Sequence, residues 1–282
     1  MMPITVARGR RGPALAVGAL ALAAWVALFV WERSQYAAYL DHGELDRVAI
    51  RDASEIVLFV GGWVVMVAAM MLPTTLPLVA MFAGITKSRP SRPQLVALLV
   101  AGYVAVWIGF GLLVYGADLG VHGLADHVGW LHDHQWAIAA VTFALAGAYQ
   151  FSALKYRCQH QCRSPRMFLI QRWRGGSEHR QAWKIGVEHG LFCVGCCWTL
   201  MLVMFALGAF SLGWMLVVGT VMAAEKNFPH GQRLRTPLAV GLLAVAVAIA
   251  AVGIARQPSS VHDHHGEHEA SAVSRPSSGA IT

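Results

Sequence analysis

Apolar residues run through this chain in long uninterrupted blocks, and the charged residues collect between them. Seven blocks stand out: Ala14–Trp31, Ile56–Phe82, Leu95–Tyr115, Ala137–Leu154, Leu191–Gly208, Leu212–Ala224 and Pro237–Ala255. A helix rises about 1.5 Å per residue and the hydrocarbon core of a bilayer is about 30 Å thick. The first, third, fourth and last blocks therefore cross a membrane as single helices. The second is longer and contains Pro73 and Pro77. Each proline removes a helical hydrogen bond and crowds the preceding turn, so the second half of this block should kink or break. The 34 residues Leu191–Ala224 would reach about 51 Å as one helix, too long to stand upright in a bilayer. A turn near Ser211–Gly213 divides them into two short helices.

Charge favours that division. Arg8, Arg10 and Arg11 precede the first block, Lys87, Arg89 and Arg92 follow the second, and residues 152–189 carry eight Lys and Arg. By the positive-inside rule all three segments are cytoplasmic. Lys226, Arg233 and Arg235 join them only if Leu191–Ala224 crosses twice. The chain then crosses seven times with its amino terminus in the cytoplasm and its carboxyl terminus outside, and 17 of the 22 Lys and Arg lie inside. The expected fold is an all-α polytopic membrane protein, a bundle of about seven helices with the second one broken at proline. Its parts are a signal-anchor helix and outer loop (1–55), a membrane core (56–228), a last helix with the loop before it (229–256) and a disordered tail (257–282). The Arg-rich start resembles a signal peptide, but its apolar run is longer than a signal core, which makes it an uncleaved anchor.

Composition agrees with this class. Hydrophobic residues make up 56% of the 282 and charged residues only 13%, against about 25% charged in a soluble domain. The net charge of +7 follows from membrane topology and does not require a nucleic-acid partner. The chain has no Gly-rich nucleotide loop ending in Lys-Ser/Thr and no His-Glu-x-x-His motif. The longest cytoplasmic loop is too short for a soluble catalytic domain, and with its arginines, Trp173 and Trp183 it suits the anionic inner leaflet.

The candidate chemistry is sulfur and imidazole. Five cysteines form two groups, Cys158-x3-Cys162 and Cys193-x2-Cys196-Cys197, both placed on the cytoplasmic side. Structural disulfides are rare in that reducing compartment, so such groups point to metal or redox chemistry. At about 100° per residue, His189, Cys193, Cys196, Cys197, Met201 and Met204 share one helical face about 140° wide. Thiolates and thioethers together are soft ligands that suit Cu(I). Met66 and Met70, just before the prolines, extend the path. His160 points away from its flanking cysteines if its segment is helical. Outside the membrane, His42, His122, His127, His132 and His134 are joined by the tail histidines His262, His264, His265 and His268, interleaved with carboxylates in a pattern suited to collecting divalent ions. Near the membrane boundary, Lys226 reads as a snorkelling anchor, while Glu225 is open to a functional role.

Several of these runs resemble a known family. They are Met66-Val-Ala-Ala-Met70-Met71-Leu-Pro73, Tyr149-Gln150-x4-Lys155-x2-Cys158-x3-Cys162-Arg163-x-Pro165, and Gly190-x2-Cys193-x-Gly195-Cys196-Cys197-Trp198-x-Leu200-Met201, with Trp214-Met215 and Glu225-Lys226. They are similar to a bacterial family of predicted metal-binding integral membrane proteins, a domain of unknown function with some members described as copper chaperones. The chain departs from its pattern at Phe210-Ser211, where the family often has Met-Asn. The resemblance implies metal binding in a bacterial inner membrane and carries no established reaction.

The expected function is copper handling, as chaperone, acquisition or transfer protein, with copper as Cu(I) and no enzymatic turnover. Its partners would be the lipid bilayer, the metal ion, and a metalloenzyme or metallochaperone. Two alternatives stand beside it. One is a structural zinc site of four cysteines in an assembly factor for a membrane complex. The other is a membrane thiol oxidoreductase using Cys193 and Cys196.

Overall fold

The computed structural model describes residues 5–33, 53–127, 134–174, 176–207, 211–228 and 230–256, and every regular element among them is helical. The α-helices are α1 (Thr5–Glu32), α2 (Ala53–Met70), α3 (Leu76–Ile85), α4 (Arg92–His127), α5 (Gln135–Tyr149), α6 (Ala153–Arg163), α7 (Pro165–Arg172), α8 (Glu178–Leu207), α9 (Leu212–Asn227) and α10 (Arg235–Ala255). As far as it is described, each apolar block of the sequence lies in one helix or, for the second and fourth, in a bent pair.

The second block breaks at its first proline. Helix α2 ends at Met70, a 3-10 turn covers Pro73–Thr75, and α3 departs at 46°. The carbonyl that Pro73 leaves without its helical partner, that of Ala69, accepts from Trp25 Nε1 at 3.1 Å. The carbonyls of Met71 and Leu72 accept both the backbone N–H groups and the hydroxyls of Thr74 and Thr75, the hydroxyls at 2.7 and 2.8 Å. A second bend of 66° separates α5 from α6. There Ser152 caps α6, its side chain accepting from the Lys155 backbone N–H at 3.0 Å.

Four helical stretches are long and apolar enough to cross a membrane: Leu15–Glu32, Arg92–Val121, Glu178–Met204 and Gly231–Ala255. Counting each bent pair as one span brings the number to six. Helix α9 is the exception to the expected seven. Its 16 residues reach only about 24 Å, short of the bilayer core. The division of Leu191–Ala224 does occur, with α8 ending at Leu207 and α9 starting at Leu212.

Two stretches expected as loops are helical. Helix α4 runs on to His127, because nothing between Gly116 and His127 forces a break: there is no proline, and an isolated glycine costs only about 1 kcal/mol. Residues 152–189 form α6, α7 and the first three turns of α8 instead of one long loop. Trp173 is held edge-on against Phe82 at 5.2 Å, with Arg89 above its ring, while Trp183 is exposed.

Helix α8 is the axis of the fold, packed along α4 and also against α5 and α6. Its approach to α4 is close enough to need glycine. A Cβ on Gly102 would stand 2.6 Å from the Trp183 carbonyl, one on Gly190 would stand 2.9 Å from Val106 Cβ, and one on Gly186 would collide with the Leu99 carbonyl oxygen. Helix α9 lies antiparallel to α8: its first residue reaches Glu32 at the end of α1, and its last turn reaches Cys193.

Candidate metal centre

Helix α6 positions half of the site with a buried face that is polar. Lys155, Cys158, Gln159, Cys162 and Arg163 recur at i, i+3, i+4, i+7 and i+8, the spacing of one helical stripe. Lys155, Gln159 and Arg163 dock α9. Lys155 Nζ donates to both carboxylate oxygens of Glu225, at 2.9 and 3.1 Å, with both side chains almost fully buried. Gln159 Nε2 donates to the Glu225 carbonyl at 3.0 Å. Arg163 donates to the carbonyls of Glu225 and Phe228, at 2.5 and 2.6 Å. Arg163, a cation favoured at a helix C-terminus, thus pairs with the Glu225 carbonyl in the last turn of α9 and with that of the C-cap residue Phe228, which also accepts from the Gly231 N–H at 3.0 Å. Glu225 is thus an inward-facing structural carboxylate.

Cys158 and Cys162 face α8 from the neighbouring edge of that stripe. Cys162 Sγ lies 4.0 Å from Cys196 Sγ, so the two cysteine groups meet. Gly195 makes room for the other sulfur, since a Cβ there would stand 2.7 Å from Cys158 Sγ. Tyr149 ties the end of α5 to the same turn, its hydroxyl donating to the Gly195 carbonyl at 2.5 Å. Gly195→Ala should therefore displace Cys158 and cost about 1–3 kcal/mol by overpacking, read as a lower unfolding midpoint of the purified protein. His160 is exposed on the opposite side, as a helical segment requires.

The face of α8 expected from helical arithmetic is buried along its length: His189, Cys193, Cys196, Cys197, Met201 and Met204 are each no more than 4% exposed. Cys196 and Cys197 donate to the Cys193 carbonyl at 3.1 and 2.8 Å. Cys193 Sγ is 3.1 Å from the Tyr103 hydroxyl, which also reaches the Met71 carbonyl at 3.4 Å. His189 sits between the rings of Tyr103 and Phe168, and its Nδ1 has no hydrogen-bond partner. All five cysteines are free thiols.

The methionine that meets the thiols is Met71, whose Sδ is 4.0 Å from Cys197 Sγ. Met66 and Met70 are buried nearby on α2, Met70 packing against Gly219 of α9. Two sulfurs that each lie about 2.3 Å from a shared tetrahedral metal stand just under 4 Å apart, close to the Cys162–Cys196 and Cys197–Met71 separations. Among the described residues no group of three or more His, Cys, Asp and Glu side chains converges as a metal site. The cluster needs a thioether to reach three sulfurs.

Lys226 overturns its reading as a surface anchor. It is buried, with Nζ 2.9 Å from Cys193 Sγ, 3.7 Å from Cys197 Sγ and 3.9 Å from Met71 Sδ. Sequence reasoning passed over Met71, Tyr103 and the inward turn of Lys226. The one available signal was a charge in the last turn of an otherwise apolar helix. The outer histidines are not placed: His42, His132, His262, His264, His265 and His268 lie outside the described residues, as do the side chains of His122 and His127. His134 is described, beside the ring of Trp136.

Together these features define a class: an all-helical chain, with several helices long and apolar enough to cross a membrane, built round a buried cluster of thiols and a thioether. Within that class, a family model described as PpoB2, copper chaperone, matches residues 60–249, and the chain belongs to this family. No curated protein and no solved structure matches it.

Proposed function

We propose that this chain handles Cu(I) in a bacterial inner membrane, taking the ion as cargo at the position bounded by Cys193, Cys197 and Met71, with the Cys162–Cys196 pair as the adjoining station. The observation that carries the reading is that convergence of thiol and thioether sulfurs at one buried point. Mixed thiolate and thioether donors prefer Cu(I) to harder ions, and the family is one of copper chaperones. Met201 and Met204 continue the stripe along α8, Met66 and Met70 line α2, His189 flanks Cys193 by one turn, and Cys158 supports Cys162. The tail histidines His262, His264, His265 and His268 would gather ions outside, and a metalloenzyme or metallochaperone would exchange copper at the cytoplasmic end.

The topology belongs to the same proposal: seven crossings, amino terminus inside, carboxyl terminus outside, α9 returning through a locally thinned or protein-lined region. Arg163 holds Glu225 and Phe228, Arg235 donates to the Gln150 carbonyl at 3.0 and 2.5 Å, and Arg89 pairs with Glu178. Three basic segments therefore gather at one end, as the positive-inside rule asks of a cytoplasmic face. Burial of Cys193 and Cys196 counts against the oxidoreductase, because exchanging thiols must be reached by their substrates.

The deciding measurement is metal content by mass spectrometry on protein purified in detergent under reducing, copper-replete conditions. The expected result is copper close to stoichiometric with the chain, released by a Cu(I) chelator and lost from a Cys193→Ser/Cys197→Ser variant. Zinc that resists chelation would transfer the site to the structural alternative, and absence of any metal would end the proposal.

A further inference from the structure

A cation already stands among the sulfurs. The Lys226 ammonium has Cys193 Sγ, Cys197 Sγ and Met71 Sδ as its close partners, at 2.9, 3.7 and 3.9 Å. The carboxylate beside it in sequence does not serve it, because Glu225 is turned toward Lys155. A buried ammonium is costly unless it is paired, and the counter-charge in reach is a thiolate, best placed at Cys193. Three sulfurs around one positively charged nitrogen also mark a point where a monovalent soft metal ion would find its donors.

Resting on the copper reading, we propose that Lys226 is a built-in exchange cation: its ammonium and Cu(I) are mutually exclusive occupants of the Cys193–Cys197–Met71 position. Copper binds as Lys226 withdraws, and the returning ammonium helps to expel it. The exchange needs no electron. The Cys193 thiolate paired with the ammonium becomes the same thiolate bound to Cu(I), one monovalent cation replacing another there. Cys197, a thiol donating to the Cys193 carbonyl in the metal-free protein, releases its proton to solvent when it joins as a ligand.

The position of Lys226 suits the motion. It lies in the last turn of α9, and Asn227 and Phe228, which follow it, are exposed. A flexible four-carbon stem in the last turn of a helix carries its ammonium to the boundary by rotating about its own side-chain bonds. Lys155 has no such freedom, being held by both oxygens of a buried carboxylate.

The test follows the lysine itself. Detergent-purified, reduced protein is treated with formaldehyde and a borane reductant, with and without one equivalent of Cu(I), and methylation of each lysine is read by peptide mass spectrometry. Lys184, whose side chain is 73% exposed, serves as the internal standard and should be methylated equally in both samples. Methylation of Lys226 should be low in the metal-free protein and rise by about tenfold or more with Cu(I), as the withdrawn state passes from minor to dominant. A Lys226→Met variant, lacking the competing charge, should release Cu(I) to a chelator about tenfold more slowly, within the range by which outer-sphere groups move metal sites. Copper bound with Lys226 still protected would overturn the exchange and leave the copper reading intact. Failure of the wild-type protein to bind Cu(I) would overturn both. If Lys226→Met does not fold, methylation of the wild-type protein decides alone.

Discussion

Glu225→Gln should destabilise the folded protein by about 3–5 kcal/mol, the cost of leaving one member of a buried ion pair without its partner. Lys155 Nζ has both Glu225 oxygens within 3.1 Å and its side chain is 1% exposed, so the charge left behind cannot reach water without moving α6. Adding Lys155→Met to Glu225→Gln should recover most of the loss, because removing a buried pair altogether is often close to neutral. Unfolding of the detergent-solubilised proteins, single variant beside double, reads both effects. A single variant as stable as wild type would show that α6 does not depend on this pair. Glu225 and Lys226 are sequence neighbours whose side chains reach different helices, α6 and α8.

The second large effect is expected at Gly186. A methyl group there meets the Leu99 carbonyl oxygen, which belongs to the α4 backbone and cannot rotate aside. Gly186→Leu must therefore push α4 away from α8, at about 3 kcal/mol or more, the upper end of overpacking costs. Tyr103 rides on α4 and touches Cys193, so the variant should lose copper retention along with thermal stability. Size-exclusion profile and unfolding midpoint in detergent measure the first, metal content the second. A Gly186→Leu protein with wild-type midpoint would mean that the two helices are not in contact there.

Helical arithmetic reads correctly along α8, because a period of 3.6 residues is a property of one segment. His189, Cys193, Cys196, Cys197, Met201 and Met204 share a face, and that whole face is buried. The break at Pro73 was readable for the same local reason. Met71 was not. Adjacent residues of a helix point about 100° apart, and nothing within α2 tells whether Met70 or Met71 turns toward the thiols. Only the packing of α8 and α9 against the bent region chooses Met71.

Lys226 shows the same limit in reverse. A lysine at the end of an apolar helix ordinarily reaches outward for water, and the sequence around it permits that. It turns inward here because α8 presents thiols and α6 has already taken the neighbouring carboxylate. The charge of residues 152–189 marked them as cytoplasmic and suited to the anionic leaflet, and it did not show that α6 uses Lys155, Gln159 and Arg163 to cap and pair α9.

By itself, the sequence determined the class of the protein, its helical blocks, the site of the proline break and the identity of the sulfur-bearing face, all of them consequences of composition and local period. The tertiary structure alone decided that Cys162 meets Cys196, that Met71 completes the group around Cys193 and Cys197, and that a lysine ammonium sits among them. These are contacts between residues 29 to 155 positions apart, set by which faces of different helices pack together, a relation that no single segment of the chain encodes.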